Sequence, residues 1–282
     1  MRIFGFFSVL ALIGLSLISA DAALASQPRE WQMGFQEAVT PIMHEINSFH
    51  NMLLWIIGLV SLFVLSLLVI IVVRYNARAN PVPAKFSHNT MIEIIWTFVP
   101  IVILLIIAVP SFRLLYHMDT IPEADMTLKA TGSTWLWTYE YPDYFDDEEF
   151  IAVMVPEEEL GTDPYGAPQP RLLATNFNVV VPVGKTVRVV VTAADVIHAW
   201  AMPAFGIKID AVPGRLNETW FRVEKEGIYY GQCSELCGKD HAFMPIAVHV
   251  VSQQEFDSWV RETRTELGLA EISSDIAVAA AD

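Results

Sequence analysis

The chain has 282 residues, of which 54% are hydrophobic and 17% charged, and its 32 acidic against 17 basic residues leave a net charge of −15. That sign excludes a nucleic-acid-binding role, which rests on clustered Lys and Arg neutralising phosphates. Cysteine occurs only as Cys233 and Cys237, four positions apart near the C-terminal end.

The first predicted element is a leader. Arg2 precedes an apolar run from Ile3 to Ile18, and small residues follow to Ala23-Leu24-Ala25. This layout predicts a secretory signal over residues 1–25, cleaved after Ala25; a retained first membrane helix is the alternative. Residues 26–116 hold an N-terminal segment and then two apolar stretches. "NMLLWIIGLVSLFVLSLLVIIVV" (51–73) is uncharged and long enough to cross about 30 Å of hydrocarbon. "IIWTFVPIVILLIIAVPSF" (94–112) predicts a second span over about 94–115. It carries Pro100 and Pro110, which membrane helices tolerate where freed carbonyls find other donors. The linker between them contains Arg74, Arg78 and Lys85 and no acid, so it is expected on the cytoplasmic side. A transmembrane two-helix hairpin follows, with everything after about His117 exported. In a bacterium that means an inner (cell) membrane anchor and a periplasmic C-terminal domain.

The exported part is acidic: from His117 to Asp282 there are 27 acidic and 11 basic residues, a net of −16. Such a charge steers a basic partner, although single clusters such as residues 146–149 or 157–159 also serve plain solubility. Residues 117–251 read as short β-rich runs broken by turns, among them "MTLKATGSTWLWTYEY", "FIAVMV", "TVRVVVTAAD" and "IAVHVV". Their spacing predicts an all-β antiparallel sandwich or barrel. In residues 252–282, Ser252 with Glu255 forms a capping-box signal for a helix whose Phe256, Trp259, Val260 and Thr263 face the domain. An aperiodic tail completes the chain.

Both cysteines lie in "GQCSELCGKDHAFMP" (231–245). In an oxidising compartment the default for two cysteines is a disulfide. Zinc remains open on ligand type. Cys237, His241 and Met244 stand in the ligand order of a blue-copper loop, and "ADVIHAW" supplies the second imidazole, His198. A thioether suits copper and not zinc. Cys233 is then surplus for one ion, while two thiolates suit two copper ions bridged by both sulfurs.

These segments together resemble subunit II of the haem–copper oxidases over residues 40–255: two hairpin helices, a strand-borne histidine and C-x3-C-x3-H-x2-M in one order. The resemblance implies a cupredoxin-like Greek-key domain and a binuclear copper centre held by His198, Cys233, Glu235, Cys237, His241 and Met244. Glu235 is expected to bind through its main-chain oxygen, leaving its carboxylate for a magnesium ion shared with subunit I. The resemblance also implies electron transfer from a basic cytochrome c to haem in subunit I, haem being held only by that partner, with subunit III as a further neighbour. Trp135 in "GSTWLWTYEY" matches the electron-receiving tryptophan, Glu93 the mouth of a proton path, and Glu140 and Asp195 acidic docking positions. By period two, Trp135, Trp137, Tyr139 and Tyr141 share one strand face, which for most of them means the core. Two other classes are weighed. A quinol-oxidase subunit shares the hairpin and barrel but lacks the copper ligands, and a tethered copper chaperone needs neither Trp135 nor Glu93.

Overall fold

A computed structural model describes residues 25–270, so the expected leader up to residue 24 and the tail from residue 271 lie outside the described residues. Two compact units form, one of residues 42–120 and one of the flanking residues, and each is described by itself.

The first unit is built on two helices, α1 (Pro41–Arg74) and α2 (Thr90–Asp119). At 1.5 Å per residue their 34 and 30 residues extend about 51 and 45 Å, beyond the roughly 30 Å of a hydrocarbon core. Each therefore continues past the apolar run that predicted it. Their polar ends explain how. Asn76 donates from its side chain to the carbonyls of Val72 and Val73, covering the end of α1. Asn89 caps α2 by accepting from the Met91 and Ile92 amides at 3.1 and 3.2 Å. Pro100 and Pro110 lie inside an unbroken α2. Apolar side chains such as Leu62, Phe63, Leu104 and Leu105 stand exposed, the arrangement a lipid solvent favours.

The second unit is a β-sandwich. A five-stranded sheet runs in the order β4 (Glu149–Ala152), β3 (Leu136–Glu140), β2 (Met126–Ser133), β6 (Thr186–Ala193), β9 (Asn217–Arg222). A four-stranded sheet runs β1 (Ala25–Ser26), β10 (Gly227–Gln232), β11 (Pro245–Val251), β5 (Val179–Pro182). β7 (His198–Met202) and β8 (Ile207–Ala211) make a separate antiparallel pair. The core joins Leu128, Val187, Val189 and Val191 of the first sheet with Val179, Val181, Ile246, Val248 and Val250 of the second, and Trp200 and Met202 of β7 belong to it. β2 alternates buried and half-buried residues along its whole length, as a one-sided strand should.

The cupredoxin-like class stands, and three details differ from expectation. The sheets are mixed, because β2 pairs β6 and β11 pairs β5 in parallel. The run from residue 126 to 141 is a hairpin, β2 and β3 turning at Thr134 and Trp135, and not one strand. Trp135 therefore sits on the turn, while Trp137, Tyr139 and Tyr141 are fully buried. β7 was not foreseen as a strand of its own; its five residues are all buried, so it has no alternation to read. The C-terminal helix, α3 (Gln253–Glu266), starts at Ser252 with the capping box complete, and buries Phe256 and Val260. Trp259 packs half-buried against the same core.

Candidate metal centre

β10 and β11 are antiparallel neighbours ending at the pair Gln232–Pro245, so residues 233–244 form the loop that joins them. The Cys233 amide donates to the Met244 carbonyl at 3.3 Å and closes the loop at its base. A single 3₁₀ turn, His241–Phe243, brings the His241 imidazole back over Cys237. Gly231, next to the last residue of β10, lets β7 approach closely. A Cβ there would lie 2.0 Å from the Ala201 carbonyl oxygen of β7.

The loop presents its donors inward. Cys233 and Cys237 are free, buried thiols with sulfurs 3.9 Å apart. The Cys237 sulfur lies 3.5 Å from His241 Nδ1 and 3.5 Å from the Met244 sulfur. The Cys233 sulfur lies 3.4 Å from the Glu235 main-chain oxygen and 3.9 Å from His198 Nδ1. Ligand atoms of His198, Cys233 and Cys237 all fall within 4.8 Å of one another. All six predicted ligands therefore meet, Glu235 through its carbonyl. Its side chain is exposed. Burial pushes both thiols up, but the His198 imidazole and neighbouring backbone groups outweigh it at Cys233 and bring that thiol down. At Cys237 burial, and then the neighbouring Cys233 thiol, push the group up.

His198 enters from elsewhere. It is the first residue of β7 and fully buried, and the Ser234 amide donates to the Ala199 carbonyl at 3.0 Å, fastening this strand to the loop. A Cβ on Gly132 of β2 would lie 2.9–3.0 Å from the His198 side chain, so only a glycine leaves room for the ring. Trp137 meets the ring edge-on, centroids 6.0 Å apart. The other imidazole nitrogen, Nε2, donates to Asp195 Oδ1 at 2.9 Å. A neutral ring with its proton held at Nε2 presents the Nδ1 lone pair toward the sulfurs, the tautomer a metal ligand needs. The second Asp195 oxygen accepts from the Thr134 amide at 2.7 Å and the Thr134 hydroxyl at 2.6 Å. Partial burial raises the Asp195 carboxyl, but these donors outweigh it and hold the group well below the usual carboxylate range.

Trp135 follows Thr134 on the turn and lies half-buried over the loop. Its ring is 3.3 Å from where a Cβ on Gly238 would stand, and Gly238 has φ +124, a conformation that glycine adopts freely. Glu140, directly opposite Lys129 on β2, is ion-paired with it at 2.7 Å. Glu93 lies in the first turn of α2, where an acid complements the helix dipole. The sequence did not signal the contributions of Gly132, Thr134, Trp137 and Gly231 to the site. Asp195, expected only as a docking acid, touches His198, an expected ligand.

Two free thiols, two imidazoles and a thioether gathered at one loop, in a β-sandwich whose chain also forms two membrane-length apolar helices, define a class: a membrane protein with a donor set that could hold a soft metal. Comparison with known proteins narrows it. The family described as "Cytochrome C oxidase subunit II, periplasmic domain" matches residues 126–251, and its transmembrane-domain counterpart matches residues 28–114. A probable cytochrome c oxidase subunit 2 of Rickettsia bellii (strain RML369-C) is 56% identical over 253 residues, 90% of this chain and 91% of that protein. Cytochrome c oxidase subunit 2 of Oenothera berteroana is 47% identical over 243 residues, 84% of this chain and 92% of that protein. The crystal structure of the periplasmic domain of subunit II of cytochrome oxidase from Bradyrhizobium japonicum is 55% identical, covering 52% of this chain and 99% of that chain at a TM-score of 0.46. The chain belongs to the cytochrome c oxidase subunit II family, with two apolar helices and a periplasmic C-terminal domain.

Proposed function

We propose that the chain accepts single electrons from cytochrome c at a binuclear copper centre and passes them to haem in subunit I, where dioxygen is reduced and protons are translocated. One observation carries this reading: His198, His241, Met244 and the Glu235 carbonyl surround a pair of free thiols 3.9 Å apart. Sulfurs at that spacing can share an ion about 2.3 Å from each, the metal–thiolate distance typical of zinc. The thioether favours copper over zinc, and donors on both flanks of the sulfur pair suit two ions. Copper, when bound, supplies a one-electron relay with its charge spread over both metals and both sulfurs.

The protein's own groups do the rest. Cys233 and Cys237 are buried, so little reorganisation of water accompanies a change of charge. Asp195 and Gly132 fix the His198 ring, and Trp135 over Gly238 is the electron-receiving side chain. Glu235 serves twice in this reading, through its carbonyl oxygen on copper and its exposed carboxylate on a magnesium ion shared with subunit I. Glu93, at the cytoplasmic end of α2, is the mouth of a proton path into subunit I. Glu140 and Asp195 belong to the acidic surface that captures a basic cytochrome c. The helices seat the chain in the bacterial inner (cell) membrane beside subunits I and III.

The test uses the purified oxidase complex mixed rapidly with reduced cytochrome c. The near-infrared band of oxidised copper should bleach before the haem absorbance changes. Haem reduction with that band untouched would refute the proposal, and reduction by quinol alone would favour the quinol-oxidase class.

A further inference from the structure

We propose that Asp195 is a positioning residue that ties the electron-receiving turn to a copper ligand, a role separate from surface docking. The inference rests on the copper reading above and adds a device to it. One carboxylate is divided between two structures. Its Oδ1 accepts from His198 Nε2 at 2.9 Å and from the Val196 amide at 2.6 Å. Its Oδ2 accepts from the Thr134 amide and hydroxyl at 2.7 and 2.6 Å. Thr134 is bonded to Trp135, whose ring lies against Gly238 between Cys237 and His241. The chain thus closes a ring from the turn to Asp195, from Asp195 to His198, and from the metal loop back to Trp135.

The geometry has electronic and mechanical consequences. A carboxylate accepting the Nε2 proton makes the imidazole a stronger donor at Nδ1, which stabilises the oxidised, more positive metal and lowers its reduction potential. Thr134 competes for the same carboxylate, so its donors temper that effect. Holding turn and ligand on one anion also limits their relative movement, and tunnelling between Trp135 and the metal depends steeply on that separation. A docking acid needs none of these contacts. It acts through long-range charge, and its effect fades with salt.

The experiment compares the wild-type oxidase complex with Asp195→Asn, Asp195→Glu and Thr134→Val. Copper per chain, reduction potential, His198 nitrogen couplings by electron–nuclear double resonance, and cytochrome c kinetics at low and high salt are measured. Asp195→Asn should retain copper, raise the potential, alter one nitrogen coupling and lower kcat at both salt concentrations. Asp195→Glu keeps the charge but overreaches the bracket, and should alter the same coupling while KM at low salt stays near wild type. Thr134→Val removes one competing donor and no charge, so it should lower the potential, opposite to Asp195→Asn. Because Thr134 is exposed, this variant decides the matter even if the Asp195 variants fail to assemble. Wild-type potentials and couplings in Thr134→Val, or in both Asp195 variants with only a low-salt rise in KM, would overturn the inference and leave Asp195 as a docking acid. A wild-type complex lacking copper in this chain would overturn the copper reading and the inference together, so the two failures are distinct.

Discussion

The candidate metal centre is made from two regions of unlike construction. On the loop of residues 233–244, four side-chain donors and one carbonyl come from a single short segment, held by the ends of β10 and β11. On the opposite side, Gly132 of β2 and Thr134 on the β2–β3 turn meet Asp195 and His198, the bend before β7 and its first residue, with Thr134 and Asp195 61 positions apart. The loop supplies ligand chemistry by sequence spacing. The upstream side supplies orientation by long-range hydrogen bonds and close packing. Changes to the loop should therefore abolish the centre, whereas changes upstream should detune it.

The largest effect is expected at the loop. Cys237→Ser removes the sulfur that lies within 3.5 Å of both His241 and Met244, so copper should fall from two per chain to at most one, with the mixed-valence signal lost. Metal analysis and paramagnetic resonance check this. Retention of both would mean that the sulfurs do not bridge.

Next comes a pair of glycines. Gly231→Ala would force a Cβ to 2.0 Å from the Ala201 carbonyl, and backbone cannot yield, so the cost should reach or exceed the upper end of the roughly 1–3 kcal/mol of overpacking. Gly132→Ala meets the His198 side chain at 2.9–3.0 Å instead, and a ring can tilt. It should cost less stability but weaken copper binding by about 10–100-fold, as losses around metal ligands do. Thermal melting and copper titration of the two variants sharpen the contrast. Equal melting losses with unchanged copper affinity in Gly132→Ala would erase it.

Trp135→Phe should leave copper content and spectrum intact and slow the first electron transfer by about tenfold, or 1.4 kcal/mol on the barrier. Rapid-mixing kinetics beside the resonance spectrum separate the two readouts; an unchanged rate would remove Trp135 from the path. The smallest effect belongs to Glu140. Its partner Lys129, 2.7 Å away, already offsets much of its charge, and both side chains are half-buried. Glu140→Gln should raise KM for cytochrome c a few-fold at low salt, converging with wild type near 0.15 M where the Debye length is about 8 Å. Lys129→Met should lower KM under the same conditions, and a shift of the same sign in both variants would rule out docking through this pair.

The same division explains what could be read in the amino-acid sequence. The apolar runs gave the two helices, although their true ends depend on Asn76 and Asn89, whose capping lies outside hydropathy. The gathering of Cys233, Cys237, His241 and Met244 was legible because they share one short loop, and the Ser252–Glu255 box was legible because both partners are local. β7 escaped because a strand buried on both faces has no alternation, and the parallel pairing of β2 with β6 escaped because register is set by distant contacts. The bond from Asp195 to Thr134 could not be seen for the same reason. In "DVIH" only the three-residue step between the acid and the histidine hinted at it.

The most direct measurement is copper content together with electron paramagnetic resonance on the full-length chain in the oxidised oxidase. Two equivalent copper nuclei sharing one unpaired electron predict two coppers per chain and a seven-line hyperfine pattern. A four-line pattern from a single copper, or a Cys233–Cys237 bond found by mass spectrometry in the active protein, would contradict it.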